Sequence, residues 1–179
     1  MDEKARREIE ALKSTYGENR RIREIPEWAP VIKCHNGTFA GNALDKISVF
    51  KGVPFALPPT GSRRWKRPEE APRENGIYEA FYNGRSPIQT EWETERASYY
   101  PQSEDCLYLN IWTANGYTRK SNRPVIVFLH GGAYGWGGTA DPMYDGENFV
   151  NAHPEVILVT AGYRTGLMGF VDLSTIPGG

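Results

Sequence analysis

No apolar run in this sequence approaches the roughly 20 residues that a membrane-spanning helix requires. An excess of one charge is missing too: 21 Lys and Arg stand against 22 Asp and Glu, for a net charge of −1. That balance offers neither a basic stripe for nucleic acid nor a patch for an anionic lipid surface, so no nucleic-acid or membrane partner is expected. The first residues, "MDEKARREIEALKSTYGENRRIREIPEWAP", mix acids and bases without an apolar h-region. This speaks against a secretory signal and for a cytoplasmic protein. Cysteine is scarce, with Cys34 and Cys106 alone. One disulfide is arithmetically possible, but a cytosolic chain keeps both as thiols. No internal repeat or low-complexity segment occurs.

What is abundant is punctuation. With 19 Gly and 13 Pro among 179 residues, the chain is one domain in size, with many turns and few long helices. In residues 1–29, Ile9 and Leu12 share a helical face that excludes Glu10 and Lys13. The pattern predicts a short amphipathic helix, read as a weakly packed solvated leader or else as a docking helix for a partner. Residues 30–179 form the domain proper. "NGT" at 36–38 matches a glycosylation sequon and, without a secretory signal, reads as a turn. "VIKCHNGTFAG" and "ISVFKGVPFA" read as two short strands, followed by a proline-rich surface loop and a polar, aromatic, irregular stretch over 73–103. "LYLNIWT", "RPVIVFLH" and "EVILVTAGYR" read as further strands, the last two apolar on both faces as in a covered parallel sheet. A crossover helix fits around 147–152, which makes a βαβ unit and an α/β fold. The sequence stops at "VDLSTIPGG" with no helix to cover the sheet, so the fold looks unfinished and the last strand is expected to leave an open edge.

The stretch "VIVFLHGGAYGWGG" ends a strand on a histidine and then places five glycines in eight residues. A nucleotide-binding reading fits G-x-G-x-x-A at 135–140, but that fingerprint should follow its strand directly and open a helix. Gly135 instead comes five positions after His130, and Pro142 and Gly146 interrupt the helix; Glu155 precedes the next strand instead of ending it. No Lys-Ser or Lys-Thr pair follows these glycines, as a phosphate loop would require. A purely structural turn explains one or two of the glycines. An oxyanion hole explains more of them, because backbone N–H groups can be aimed at a developing negative charge only where no side chain intervenes. "HGGA" suits that role as HGGG-type loops do.

The blocks "VFKGVPFALPPTGSRRWKRPEEA", "SEDCLYLNIW", "FLHGGAYGWGG", "YDGENFV" and "VILVTAGYRTGLMGF" occur in this order. In that order the chain resembles, from about Val31 onward, the N-terminal third of the type-B carboxylesterases, the cholinesterase-like branch of the α/β-hydrolases. The resemblance implies the N-terminal part of an α/β-hydrolase fold, with an incomplete central sheet and a small N-terminal β-region. It implies that the N–H groups of Gly132 and Ala133 are oxyanion donors and that Gly131 shapes the turn. Tyr134 and Trp136 would line the acyl side of a pocket, with the aromatic loop around Trp92 to Tyr100 near its entrance. Arg64 and Glu104 match an internal ion pair, His130 a structural position, and Cys106 a disulfide position whose partner place is taken here by Ser86. An α/β-hydrolase also needs a nucleophile on a G-x-S-x-G elbow, then an acid and a histidine. No such elbow occurs; Ser62, Ser103 and Ser174 are not on one, and His35 and His153 come too early for the base. The expectation is the N-terminal segment of a serine carboxylesterase acting on a small-molecule ester, without metal or cofactor. Such a segment is inactive alone and completed by the C-terminal remainder of the same protein. The alternative is a non-catalytic cholinesterase-like binding or adhesion module.

Overall fold

A computed structural model describes residues 3–90, 99–116 and 118–173. Two sheets carry the chain. The smaller has the order β1-β6-β3-β2, built from β1 (Arg21–Ile22), β2 (Val31–Cys34), β3 (Gly37–Ala40) and β6 (Ile77–Glu79). The larger has the order β4-β5-β7-β9-β8, from β4 (Asn42–Ala43), β5 (Ile47–Pro54), β7 (Tyr108–Ala114), β8 (Val125–Leu129) and β9 (Ile157–Ala161). Pairing in the larger sheet is antiparallel except between β8 and β9, so the sheet is mixed. In the larger sheet the parallel pair comes from the expected βαβ unit, whose helix α2 spans Glu147–Ala152, while in the smaller sheet β3 also runs parallel to β6.

The first apolar block is a hairpin: Cys34 pairs with Gly37, leaving His35 and Asn36 as a two-residue turn. Asn36 is buried there and donates from Nδ2 to the Pro54 carbonyl at 2.7 Å, so the sequon's amide is already engaged within the fold. Strand β5 bulges between Phe50 and Val53. At the bulge Gly52 takes φ +72° and donates to Asn110 Oδ1 at 3.0 Å, and a Cβ would lie 2.6 Å from the Tyr82 carbonyl. Only glycine meets both demands.

Two clusters form the centre. Phe39, Phe50, Val53 and Ala80 lock the small sheet onto the large one, with Leu109 and Ile111 packed against them. Ile47, Val49, Trp112 and Val150 hold α2 to the opposite face of the large sheet. Trp112 and Val150 are almost wholly buried, which for side chains of this size stabilises the packing by about 1.5–3 kcal/mol each.

Four expectations change. The leader helix α1 (Glu3–Ser14) does not pack weakly: Leu12 is buried against Tyr100 and Ala140, and the Tyr16 hydroxyl donates to the Tyr99 carbonyl. Its receptor comes from distant parts of the chain, which a local pattern cannot show. The irregular stretch over 73–103 contains β6. A short helix, α3 (Gly166–Phe170), does follow the last strand, but Leu167 and Phe170 stay exposed and do not cap the sheet. The open edge is β8 and not the last strand, because β9 inserts between β7 and β8.

That edge is bare. Val125, Val127 and Leu129 point to one side and are 55 %, 59 % and 63 % exposed, while Ile126 and Phe128 on the other side are each 40 % exposed. An apolar strand with an unpaired edge and an uncovered face is a template for association. The isolated chain is therefore expected to self-associate in a concentration-dependent way, read by analytical ultracentrifugation. Val127→Lys, which puts a charge on the bare side, should shift the population toward monomer with unchanged far-UV circular dichroism.

Candidate active site

Strand β8 delivers the chain to His130, and the direction reverses at once. The His130 ring is buried and lies face to face on Tyr163, centroids 4.1 Å apart and planes within 8°. The Tyr163 hydroxyl donates to the His130 carbonyl at 2.5 Å. His130 Nδ1 sits 2.9 Å from the Gly131 carbonyl; since a carbonyl only accepts, Nδ1 carries the proton. Burial holds the ring's pKa below the usual histidine value, against a smaller upward pull from the Gly131 carbonyl. The ring is a neutral, pinned wall. Its Nε2 is buried and has no hydrogen-bond partner among the described residues.

Beyond His130 the backbone takes a run of left-handed conformations: Gly132 at φ +118°, Ala133 at +50° and Tyr134 at +61°. The Gly132 carbonyl accepts from the N–H groups of both Gly135 (2.9 Å) and Trp136 (3.1 Å). A Cβ on Gly132 would sit 2.0 Å from the Trp136 carbonyl oxygen, and one on Gly137 (φ +103°) 2.5 Å from the Gly131 carbonyl and 2.6 Å from His130 Nδ1. Gly131 and Gly135 face no such obstacle, with nearest atoms at 3.7 Å. The turn itself therefore dictates two of the glycines. The N–H groups of Gly132 and Ala133 donate to no acceptor among the described residues.

A cavity of about 640 Å³ opens beside this turn, lined by Leu129, His130, Gly131, Ala133, Tyr134, Tyr163 and Phe170. Tyr134 packs on Phe170 with ring centroids 4.7 Å apart. Trp136 is not among the residues that line this cavity. Its ring lies beside Gly132, Cδ1 3.2 Å from where a Cβ would be, because its N–H is drawn back to the Gly132 carbonyl. Trp92 lies outside the described residues.

Arg64 and Glu104 come together as a fork: Nε donates to Oε2 at 2.9 Å and Nη2 to Oε1 at 2.6 Å. The hydrogen bonds from Arg64 hold the Glu104 carboxyl below the usual range. The pair joins the proline-rich loop to the segment that leads into β7. No serine is paired with a histidine among the described residues. Ser62 is exposed in the helical turn Gly61–Arg63, and Ser103 Oγ accepts from the Asp105 N–H. His35 lies 3.3 Å from Glu70 and His153 3.6 Å from Glu155; Ser174 lies outside the described residues. Among the described residues no group of His, Cys, Asp or Glu could hold a metal ion.

One participant escaped the sequence reading. Gln89 bonds Gly137 through both ends of its amide, Oε1 accepting from the Gly137 N–H and Nε2 donating to its carbonyl, each at 2.8 Å. A glutamine two residues after a proline in an irregular loop carries no signal that would have marked it.

Two predictions follow from this geometry. Gly137→Ala should destabilise the fold by about 1–3 kcal/mol, the cost of a strained backbone position, seen as a lower midpoint in urea unfolding. Cys34 is exposed and Cys106 is buried, its thiol pushed up to about 12 by desolvation and then by Asp105. Thiol titration should accordingly find one reactive group in the native chain and two after denaturation. The Cys34 reaction should be slow, since partial burial raises its pKa as well.

Comparison with known proteins identifies the family. The sequence model of the carboxylesterase family matches residues 28–178. The para-nitrobenzyl esterase of Bacillus subtilis is 35 % identical over 147 residues, covering 81 % of this chain and 29 % of the relative. The carboxylesterase 1D of Rattus norvegicus is 35 % identical over 161 residues, covering 81 % and 28 %. Among solved structures, a thermophilic para-nitrobenzyl esterase superposes with a TM-score of 0.72 at 34 % identity, over 81 % of this chain and 30 % of that one. The carboxylesterase of Geobacillus stearothermophilus gives 0.70 at 36 %, over 80 % and 28 %. The chain thus spans less than a third of the length of these relatives, the N-terminal part of an α/β-hydrolase fold. It belongs to the carboxylesterase family.

Proposed function

We propose that this chain supplies the oxyanion turn of a serine carboxylesterase that hydrolyses small-molecule carboxylic esters. The observation that carries the proposal is the left-handed turn over 132–134, which leaves the N–H groups of Gly132 and Ala133 unengaged beside a cavity. In the reaction a serine oxygen bonds to the ester carbonyl carbon, and its proton passes by way of a histidine to the departing alcohol. Water then adds to the acyl-serine, and the acid leaves as the serine is reprotonated. Each step places negative charge on the former carbonyl oxygen, where preset N–H dipoles act without reorganising.

On this reading the serine, the acid and the base lie in the part of the enzyme that this chain does not span. The chain alone is therefore inactive, and its partner is the C-terminal remainder of the same protein, seated along the bare edge and face of β8. The two free thiols suit a reducing, cytoplasmic setting. A fluorophosphonate probe should leave the 20.2 kDa chain unlabelled on a denaturing gel; labelling of that band would place an activated serine inside it. In the complete enzyme, replacing the Ala133 amide by an ester removes one N–H without changing the side chain. It should lower kcat by about 10²–10³-fold, and an unchanged kcat would remove Ala133 from the oxyanion site.

A further inference from the structure

We infer that Gln89 is a positioning residue for the oxyanion turn, holding its donors on target by clamping the turn's far end. The inference rests on the ester-hydrolase reading above. The clamp closes across 48 positions of sequence, and both of its bonds go to one residue, Gly137. Two bonds to one residue, one to its N–H and one to its carbonyl, fix orientation as well as position, which a single bond does not. The amide's orientation is dictated by its partners: the Gly137 N–H needs an acceptor, while the Gly137 carbonyl and the Pro87 carbonyl, 3.1 Å from Nε2, need donors.

Gln89 is itself held. Its N–H donates to Gln102 Oε1 at 2.8 Å, and the neighbouring Ser86 N–H donates to the Pro101 carbonyl at 3.0 Å. The two loop segments thus form a braced platform behind the turn. What the clamp grips is in close contact with the site. The Gly137 backbone lies so near the Gly131 carbonyl and His130 Nδ1 that no Cβ fits between them. The Gly132 carbonyl is tied to residues 135 and 136 directly upstream. A shift of Gly137 must therefore be taken up by residues 130–132, whose peptide planes aim the proposed donors. A side chain on the turn could not do this job, since the contact has room for backbone only. A long amide reaching in from another loop can.

Donors aimed at charge that exists only in the transition state affect kcat and leave ground-state binding alone. The test is made in the complete enzyme with p-nitrophenyl acetate, using Gln89→Ala and the length-matched Gln89→Met. We expect kcat to fall about ten- to a hundredfold, less than loss of a donor outright, with KM within about twofold. The inhibition constant of a trifluoromethyl ketone should rise by the same factor as kcat falls. Hydrogen exchange of the peptide containing Gly137 should quicken in Gln89→Met, whose side chain fills the space without accepting that N–H. An unchanged kcat, a loss confined to KM, or unchanged exchange at Gly137 would overturn the inference, as would Gln89→Met matching wild type while only Gln89→Ala fails to fold. If the Ala133 ester variant loses activity and the Gln89 variants do not, the clamp is wrong and the oxyanion reading stands. If the Ala133 variant retains activity, the oxyanion reading itself falls.

Discussion

The rest of this structure is arranged around one close approach: the backbone at 131–137 folds back on itself with no room for side chains at Gly132 and Gly137. The approach needs the chain to leave β8 abruptly, and the parallel pairing of β8 with β9 provides the frame. Leu129 stands opposite Ala161, so the segment after β9 emerges beside the segment after β8. Tyr163 can then lie against His130 and bond its carbonyl, and Gly166 can donate to the Tyr134 carbonyl. Parallel pairing in turn requires a crossover, and α2 makes it by seating Val150 beside Trp112. The chain of causes runs from a buried tryptophan to an aimed peptide bond.

How much of this was legible depended on whether the cause was local. The place of α2 and the strand character of β7, β8 and β9 could be read directly, since apolar runs mark the strands and the segment between the last two leaves room for one crossover helix. The density of glycine pointed to a tight backbone approach at the right place, although space demands only some of those glycines. What could not be read had its cause elsewhere in the chain. Leu12 looks like the apolar stripe of any short helix until Tyr100 and Ala140 are brought to it. The open edge falls on β8 because β9 slips inside it, and strand order is decided by pairing across the sheet, not by sequence order. The Trp136 N–H is committed to the Gly132 carbonyl, a bond that no residue pattern announces. Gln89 stands in an irregular loop, where an amide is as common as any other polar residue.

The same strand joins two properties that usually conflict. β8 exposes apolar side chains on both faces, and it also leads into a turn with three consecutive positive-φ residues, 132–134. A loose edge strand would be a poor base for a precise turn if the turn depended on it alone. It does not, because the turn is tied to two other segments: the one after β9, through Tyr163 and Gly166, and the 86–89 loop, through Gln89. The geometry of the site is thereby separated from the covering of the sheet. Under the ester-hydrolase reading, the catalytic remainder docks onto a turn already formed.

The chemistry of the turn's neighbours also bears on how such a site responds to pH. The groups that would meet a developing oxyanion are backbone N–H dipoles, which do not titrate. The one titratable ring beside them, His130, is held neutral by burial and has its Nδ1 proton committed to the Gly131 carbonyl. An imidazolium in this place would attract an oxyanion more strongly, but only below its pKa, and burial would lower that pKa further. Under the ester-hydrolase reading, neutrality gives up that attraction and leaves charge stabilisation to dipoles that do not titrate. A histidine following a strand at the mouth of a cavity invites the reading of a catalytic base. Its hydrogen bond and its burial make it part of the wall that keeps the turn in shape.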